Sequence, residues 1–377
     1  MHGPIKSMLK GYIEGYYGRL FSQEERAKVI NHMAKLNMDF YIYGPKEDPY
    51  HRVSWEENYP PEKEKILKSL VDQCKKNKIT PVFSLSPGLK ISNSTKVIKN
   101  YLLAKFRQAR QMGFEDFAIF FDDIEHKRDK NLAESHLRII ELVQSFDVSK
   151  DSKITICPTV YCTSFAKGDI KNNEYLKSLS EGIDPSISIM WTGKEVVSQS
   201  ISKKDLKELK DLFSNPIIIW DNYYANDYCP SRFYIGPHSG RKNIDSVVQG
   251  IGINPTGLPV TDMICLSRFV ADKSTQEILK EFKIPREFIK VLPYFTNPFK
   301  NLPSLNDKNI DAILNTKETL CIEWKSELQL EWAPFLWKFY LDLILLKKIK
   351  NEDNQFNLEE WLKRRYSDPL KKIILRN

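Results

Sequence analysis

A chain of 377 residues with 41% hydrophobic and 28% charged positions is ordinary for a soluble globular protein and has room for one large domain plus a smaller one. Its 57 Lys and Arg against 49 Asp and Glu give a net charge of +8, spread along the sequence without a block of like charges, which argues against a nucleic-acid-binding tail. The six cysteines form no CxxC pair, residues 1–10 hold no apolar signal core, and no apolar run is long enough to span a bilayer; no zinc or redox motif and no membrane anchor is expected, and a reduced, cytoplasmic setting is.

The first predicted strand is Gly11, Tyr12, Ile13, Glu14. The helix after it opens with Ser22 as N-cap and Glu25 three residues later, a capping box. Further strands are predicted over 39–43, 80–85, 117–121, 153–157, 186–191, 216–220 and 247–253, with a helix over about 95–112 after the third. Eight strands, roughly 35 residues apart with helical stretches between them, describe a (β/α)8 TIM-type barrel. A doubly wound open sheet is the alternative; no GxGxxG follows the first strand, which weighs against its dinucleotide-binding version. From about Lys273 the rhythm changes. Pro285, Pro293, Pro298 and Pro303 interrupt it, and aromatic-rich helical segments follow over 322–347 and 358–365, carrying Trp324, Trp332 and Trp337. The organisation expected is a catalytic barrel over 1–275 and a small helical module over 276–377 packed on the barrel, with an aromatic binding box formed by those tryptophans as the alternative reading.

In such a barrel the active site lies at the carboxyl ends of the strands. The fourth strand runs into Asp122 and Asp123. Two carboxylates so close cannot both ionise cheaply, so one should take a raised pKa, and a split pair supplies an acid and a charge stabiliser for cleaving a sugar acetal. Around them the other strand ends carry Gly15, Lys46, Tyr161, Trp220, Asn222, Asp227 and Asn254. Carboxylates and amides suit sugar hydroxyls, and flat rings suit apolar sugar faces. Each residue also has a plain structural reading. Asp122 or Asp123 could cap a helix, Lys46 could lie on the surface, Asn222 and Asn254 could be turn residues, Tyr161 and Trp220 could be core, and Gly15 could serve a tight turn. Asp122, Asp123, Glu125 and His126 could instead hold a metal, but the remaining histidines show no ligand spacing, so no metal is expected.

Seven segments in order resemble the catalytic domains of glycoside hydrolase family eighty-four, the O-GlcNAcase and hyaluronidase-like β-N-acetylglucosaminidases. They are residues 11–19, 44–48, 84–88, 120–124, 157–162, 191–193 and 220–228, and the likeness covers about residues 10–275. The resemblance implies a retaining exo-β-N-acetylglucosaminidase in which the substrate's own 2-acetamido oxygen attacks the anomeric carbon to form an oxazoline, with no enzyme nucleophile and no cofactor. It implies that Asp122 polarises the acetamido N–H and that Asp123 protonates the leaving oxygen, then deprotonates water. Tyr161 would bond the acetamido oxygen or the oxazoline region, and Trp220 would wall the acetamido pocket. Gly15 (through its backbone), Lys46, Asn222, Asp227 and Asn254 would hold the sugar. The substrate expected is terminal β-linked GlcNAc on a glycoconjugate or glycoprotein, with O-GlcNAc on Ser or Thr included. No acetyltransferase-like or carbohydrate-binding domain is evident in the sequence, and the last hundred residues match the family's helical stalk only loosely, which leaves oligomeric state and aglycone open. Competing readings are a non-catalytic GlcNAc-binding module on the same barrel, a metal-dependent barrel hydrolase, and a hyaluronidase-like glycosidase acting within chains.

Overall fold

The computed structural model describes residues 8–87, 95–124, 127–229, 231–299, 303 and 306–351. Eight parallel strands close a barrel in sequence order: β1 Leu9–Glu14, β2 Phe40–Tyr43, β3 Thr80–Leu85, β4 Asp116–Phe120, β5 Ile154–Cys157, β6 Ser188–Trp191, β7 Ile217–Asp221 and β8 Gly250–Ile253. Closure is made by β8 pairing with β1, where Gly11 lies opposite Gly252 on one side and Phe40 on the other. The first six connections carry helices: α1 Gln23–Lys35, α2 Pro61–Lys76, α3 Thr95–Gln111, α4 Lys130–Gln144, α5 Glu174–Gly182 and α6 Lys207–Leu212. The capping box at Ser22 and Glu25 is formed as expected. The connection from β7 to β8 holds turns among its described residues. β8 begins three residues later than the apolar pattern predicts, because Val247 and Val248 spend their N–H groups on Ile244 O in a turn and have none to offer a ladder.

Side chains alternate across each strand, so one set fills the barrel. Ile13, Phe40, Ile42, Val82, Ala118, Phe120, Cys157, Met190, Ile218 and Trp220 form that interior. Phe40 takes more than its share, and two glycines make room for it. A Cβ on Gly11 would lie 2.2 Å from its ring, and one on Gly252 would lie 3.3 Å from it and 2.7 Å from Ile13.

The chain divides into two compact units. One carries the barrel, with the chain up to Tyr223 and Ser239–Gly257; the other comprises Tyr224–His238 and the chain from Leu258 onward. The second unit begins its helices with α7 Pro259–Ala271 and continues with α8 Thr275–Glu281, α9 Phe288–Val291, α10 Asp307–Leu314 and α11 Glu327–Asn351. The N-terminus of α7 is capped from within this unit by Glu331, whose carboxylate accepts from Val260 and Thr261 N–H at 2.8 Å each. Trp332 is fully buried between Phe233 and Phe288, 4.6 Å from each ring, and Trp324 is buried beside it, all within this unit; Trp337 is 38% exposed. The segment predicted over 358–365 lies outside the described residues. Among the described residues no helix is long and apolar enough to cross a membrane.

The crowding at Phe40 sets a test. Gly11→Ala should destabilise the protein by about 1–3 kcal/mol through overpacking. Adding Phe40→Leu should recover part of that loss although Phe40→Leu alone leaves a cavity, a non-additivity to be read from urea midpoints of the four proteins.

Candidate active site

The geometry begins with a break in alternation. Asp122 continues the inward register of Ala118 and Phe120. Asp123, were the strand to continue, would point away from the barrel axis. Instead Asp123 takes φ of 52°, in the left-handed region that Asp tolerates better than branched residues. The turn brings the second carboxyl to the barrel mouth beside the first. Their settings differ: the Asp122 side chain is 7% exposed and that of Asp123 is 32% exposed.

Lys46 reaches the pair from the end of β2. Gly44 lets the chain pass there, since a Cβ would sit 2.3 Å from Ser84 Oγ and 2.8 Å from Phe120. Lys46 Nζ, itself buried, donates to Asp122 Oδ2, stands 4.0 Å from Asp123 Oδ2, and lies over the Phe120 and Trp220 rings at 5.7 and 5.8 Å. The other Asp122 oxygen, Oδ1, is buried with no hydrogen-bond partner among the described residues. Burial raises the pKa of Asp122 above the ordinary carboxylate value, the Lys46 ammonium opposes that shift, and the Asp123 charge adds to it. The leading cause of the rise at Asp122 is desolvation rather than the neighbouring acid.

Both Asp123 oxygens are held by tyrosines. Tyr161 OH donates to Oδ1 and Tyr17 OH to Oδ2, each at 3.0 Å. Burial and the nearby carboxylates push both phenols further up, so both stay protonated donors at neutral pH. The Arg52 guanidinium lies 5.4 Å from the Tyr17 ring centre and reaches the Asp123 carbonyl at 3.4 Å. On the other side Phe165 packs on Tyr161 at 4.9 Å, with Arg128 over the Phe165 ring at 4.0 Å.

Trp220, Asn222, Asn254 and Gly15 come together at the ends of β7, β8 and β1. Asn222 Oδ1 accepts from Trp220 Nε1 at 3.0 Å and from Asn254 Nδ2 at 2.9 Å, while its own Nδ2 donates to Val196 O at 2.9 Å. Asn254 Oδ1 in turn accepts the Gly15 N–H at 3.2 Å. Gly15 is glycine because a Cβ there would meet the Trp220 ring at 2.5 Å. Eight of the nine residues singled out from the sequence thus gather in the barrel unit, through contacts shared among Asp122, Asp123, Lys46, Tyr161, Trp220, Asn222, Asn254 and Gly15. The ninth, Asp227, belongs to the second unit, where it is exposed and accepts the Tyr228 N–H at 2.9 Å. Tyr17, Arg52 and Val196 were not singled out. Tyr17 stands three residues past β1 and was within reach of the strand-end rule, whereas Arg52 and Val196 sit deeper in loops and show no local signal. Glu125 and His126 lie outside the described residues.

The comparisons with known proteins bear on the same stretch. A family model described as beta-N-acetylglucosaminidase matches residues 10–285. The chain belongs to that family. It is 31% identical to protein O-GlcNAcase of Mus musculus and of Rattus norvegicus over 261 residues, which is 67% of this chain and 28% of each relative; it therefore spans under a third of the length of these curated relatives. The solved structure of CpGH84B superposes with a TM-score of 0.73 at 25% identity, covering 92% of this chain and 70% of that one. An O-GlcNAc hydrolase mutant from Thermobaculum terrenum gives a TM-score of 0.73 at 24% identity over 90% of this chain and 83% of that one, which supports the fold. The family model and the mammalian relatives agree with the β-N-acetylglucosaminidase family expected from the sequence, and the solved structures agree with the (β/α)8 barrel.

His51, buried near Lys46, sets an expectation for how stability depends on pH. Its ring is buried between Ser84 O, 2.9 Å from Nδ1, and Ser86 Oγ, 3.2 Å from Nε2. Burial first, then the Lys46 charge, lowers its pKa to about 3. Below about pH 6.5 the unfolded chain takes up a proton that the folded one refuses, so stability falls as pH falls and the loss continues toward pH 3. Between pH 7 and pH 5 the wild type should lose about 2 kcal/mol that His51→Gln does not lose. Urea midpoints at the two pH values measure the difference.

Proposed function

We propose that this protein removes terminal β-linked N-acetylglucosamine with retention of configuration, using the substrate's acetamido oxygen as nucleophile. The observation that carries the reading is the division of labour between two adjacent carboxyls: one buried with an unsatisfied oxygen, the other reachable from solvent. In this reading Asp122 Oδ1 accepts the acetamido N–H. As the acetamido oxygen bonds to the anomeric carbon, positive charge develops on the amide, and the Asp122 carboxylate stabilises it without forming a covalent bond. Lys46 holds the other Asp122 oxygen and so fixes the orientation. Asp123, protonated on the oxygen that Tyr161 releases, gives that proton to the leaving oxygen as the glycosidic bond breaks. It then takes a proton from the water that opens the oxazoline, and the two inversions give net retention. In this reading Tyr161 turns from Asp123 to the acetamido oxygen, Trp220 closes the pocket behind the acetamido methyl, and Gly15, Asn222 and Asn254 form a hydrogen-bonded wall for the sugar. We also assign Asp227 a sugar-hydroxyl contact, on the family resemblance.

A glycoprotein bearing O-GlcNAc on Ser or Thr is the proposed natural substrate, supported by the name of the mammalian relatives, protein O-GlcNAcase. A cytoplasmic, reducing setting fits six buried cysteines of which none is paired. The division into a catalytic barrel over 1–275 and a helical module over 276–377 is part of the same proposal, supported by the end of the alternating βα pattern after α7.

Kinetics on aryl β-glycosides test the assignment. The wild type should turn over aryl β-GlcNAc and not aryl β-glucose, which lacks the nucleophile. Asp123→Asn should lose roughly 10²–10⁴-fold in kcat with a poor leaving group and much less with an activated one, because only the former needs protonation. Asp122→Asn should slow both to a similar degree. Equal turnover by wild type and Asp123→Asn with the poor leaving group would remove the acid/base role. Calorimetric binding of GlcNAc without turnover would instead select the non-catalytic alternative.

A further inference from the structure

Next to the proposed sugar site lies a buried ion pair that the proposed chemistry does not use. Asp221 ends β7 between Trp220 and Asn222, and is 1% exposed. Arg241 meets it with two hydrogen bonds, Nε to Oδ2 at 2.8 Å and Nη2 to Oδ1 at 2.6 Å. Its remaining donors go to the backbone: Nη1 to Gln199 O at 2.8 Å and Ser239 O at 3.0 Å, and Nη2 to Ser198 O at 2.8 Å. All five N–H groups of the guanidinium are spent, in a planar fork that lysine cannot reproduce. Its face rests 4.7 Å from the Tyr223 ring centre.

The segments joined are informative. Residues 195–199 belong to the loop after β6, and the same loop presents Val196. That side chain packs on the cluster containing Tyr161 and Trp220, while its carbonyl accepts from Asn222. The backbone is pressed close to let this happen. Ile201 N–H donates to Gly240 O at 2.8 Å, and a Cβ on Gly240, whose φ is 80°, would lie 2.5 Å from Gln199 O. Arg241 is thus bolted to the end of the strand that carries Trp220 and Asn222, and from there grips the loop that carries Val196.

We infer that Arg241 is a specificity-determining positioning residue: by clamping the loop after β6 to the end of β7 it holds Val196 against the cluster that contains Trp220 and Tyr161, and so limits the size of the group that the substrate carries on its C2 nitrogen. The inference rests on the proposed glucosaminidase reading, in which Trp220 and Tyr161 line the acetamido pocket. It adds a residue that touches neither substrate nor either catalytic carboxyl.

The experiment compares aryl 2-acetamido- and 2-propionamido-2-deoxy-β-glucosides as substrates of the whole chain. One methylene in a closed apolar pocket changes kcat/KM by roughly 10-fold or more, so the ratio of the two values reports how firmly the wall is held. Arg241→Lys and Val196→Ala should each raise the propionamido-to-acetamido ratio several-fold, and the double variant should raise it no further than the larger single effect, because both act on one wall. Arg241→Gln with Asp221→Asn, which leaves no buried charge unpaired, should give the same ratio change and serves in place of Arg241→Lys should that variant not fold. A ratio equal to that of wild type in the Arg241 variants, or effects of Arg241 and Val196 that simply multiply, would overturn the inference. Failure of the wild type to turn over the acetamido substrate would instead remove the glucosaminidase reading, a separate result.

Discussion

The site depends on a single left-handed residue. Adjacent positions on a strand face opposite ways, so two neighbouring acids at a strand end would serve two different surfaces. Asp123 escapes this only because its φ of 52° turns the chain at the moment β4 ends. The turn brings a second carboxyl to the mouth while the first keeps its inward register. It also explains their unequal burial: Asp122 is the last residue of the barrel's interior pattern and Asp123 the first of the rim. Tyr17, Tyr161 and the Arg52 contact to the Asp123 carbonyl then hold a conformation that costs backbone energy.

The barrel supplies what a flat sheet could not. Residues at the ends of β1, β2, β4, β5, β7 and β8 meet at one barrel mouth because their strands close on each other, and each arrives with its own support. Gly44 clears the path of Lys46, Gly15 clears the Trp220 ring, and Gly11 and Gly252 accommodate Phe40 lower down. The amides of Asn222 and Asn254 and the Trp220 indole satisfy one another, so the wall is rigid without relying on a ligand. Much of what the sequence offers as sugar contacts is thus first of all a scaffold of mutual hydrogen bonds, and the two readings of Asn222 and Asn254 are compatible.

Strand ends were legible because a barrel imposes them. Alternating apolar runs mark the eight strands, and the residues just after each run are the rim, so Lys46, Asp122, Tyr161, Asn222 and Asn254 could be chosen without any distance. Contacts created by the Asp123 turn were not legible, since a single Asp with positive φ leaves no pattern in its neighbours; Tyr17 and Arg52 find their meaning only after that turn is known. The same holds for Asp221 and Arg241, twenty residues apart, where nothing local distinguishes a buried pair from two surface charges. β8 was read too long because Val247 and Val248 are strand-like by composition, and the turn bonds to Ile244 that remove them from the ladder depend on the backbone alone. The cause of the rise at Asp122 also needed the fold: the sequence shows that two acids are close, and only burial shows that desolvation at Asp122 outweighs the repulsion.

A buried carboxyl with one unmatched oxygen is a poor choice for stability. Asp122 is pushed above its unfolded value, so the fold favours its protonated form; this contribution is complete below the ordinary carboxylate range and is lost as the pH rises through the raised value. At neutral pH the Lys46 ammonium offsets part of that cost through one oxygen and leaves the other unmatched. An apolar residue at 122 would pack with less penalty, as Phe120 does two positions earlier on the same face. The sequence thus accepts a locally unfavourable group at the place where the register of β4 meets the barrel mouth. Strain at Asp123 and desolvation at Asp122 fall on consecutive residues, and the rest of the barrel mouth is arranged to hold both in place.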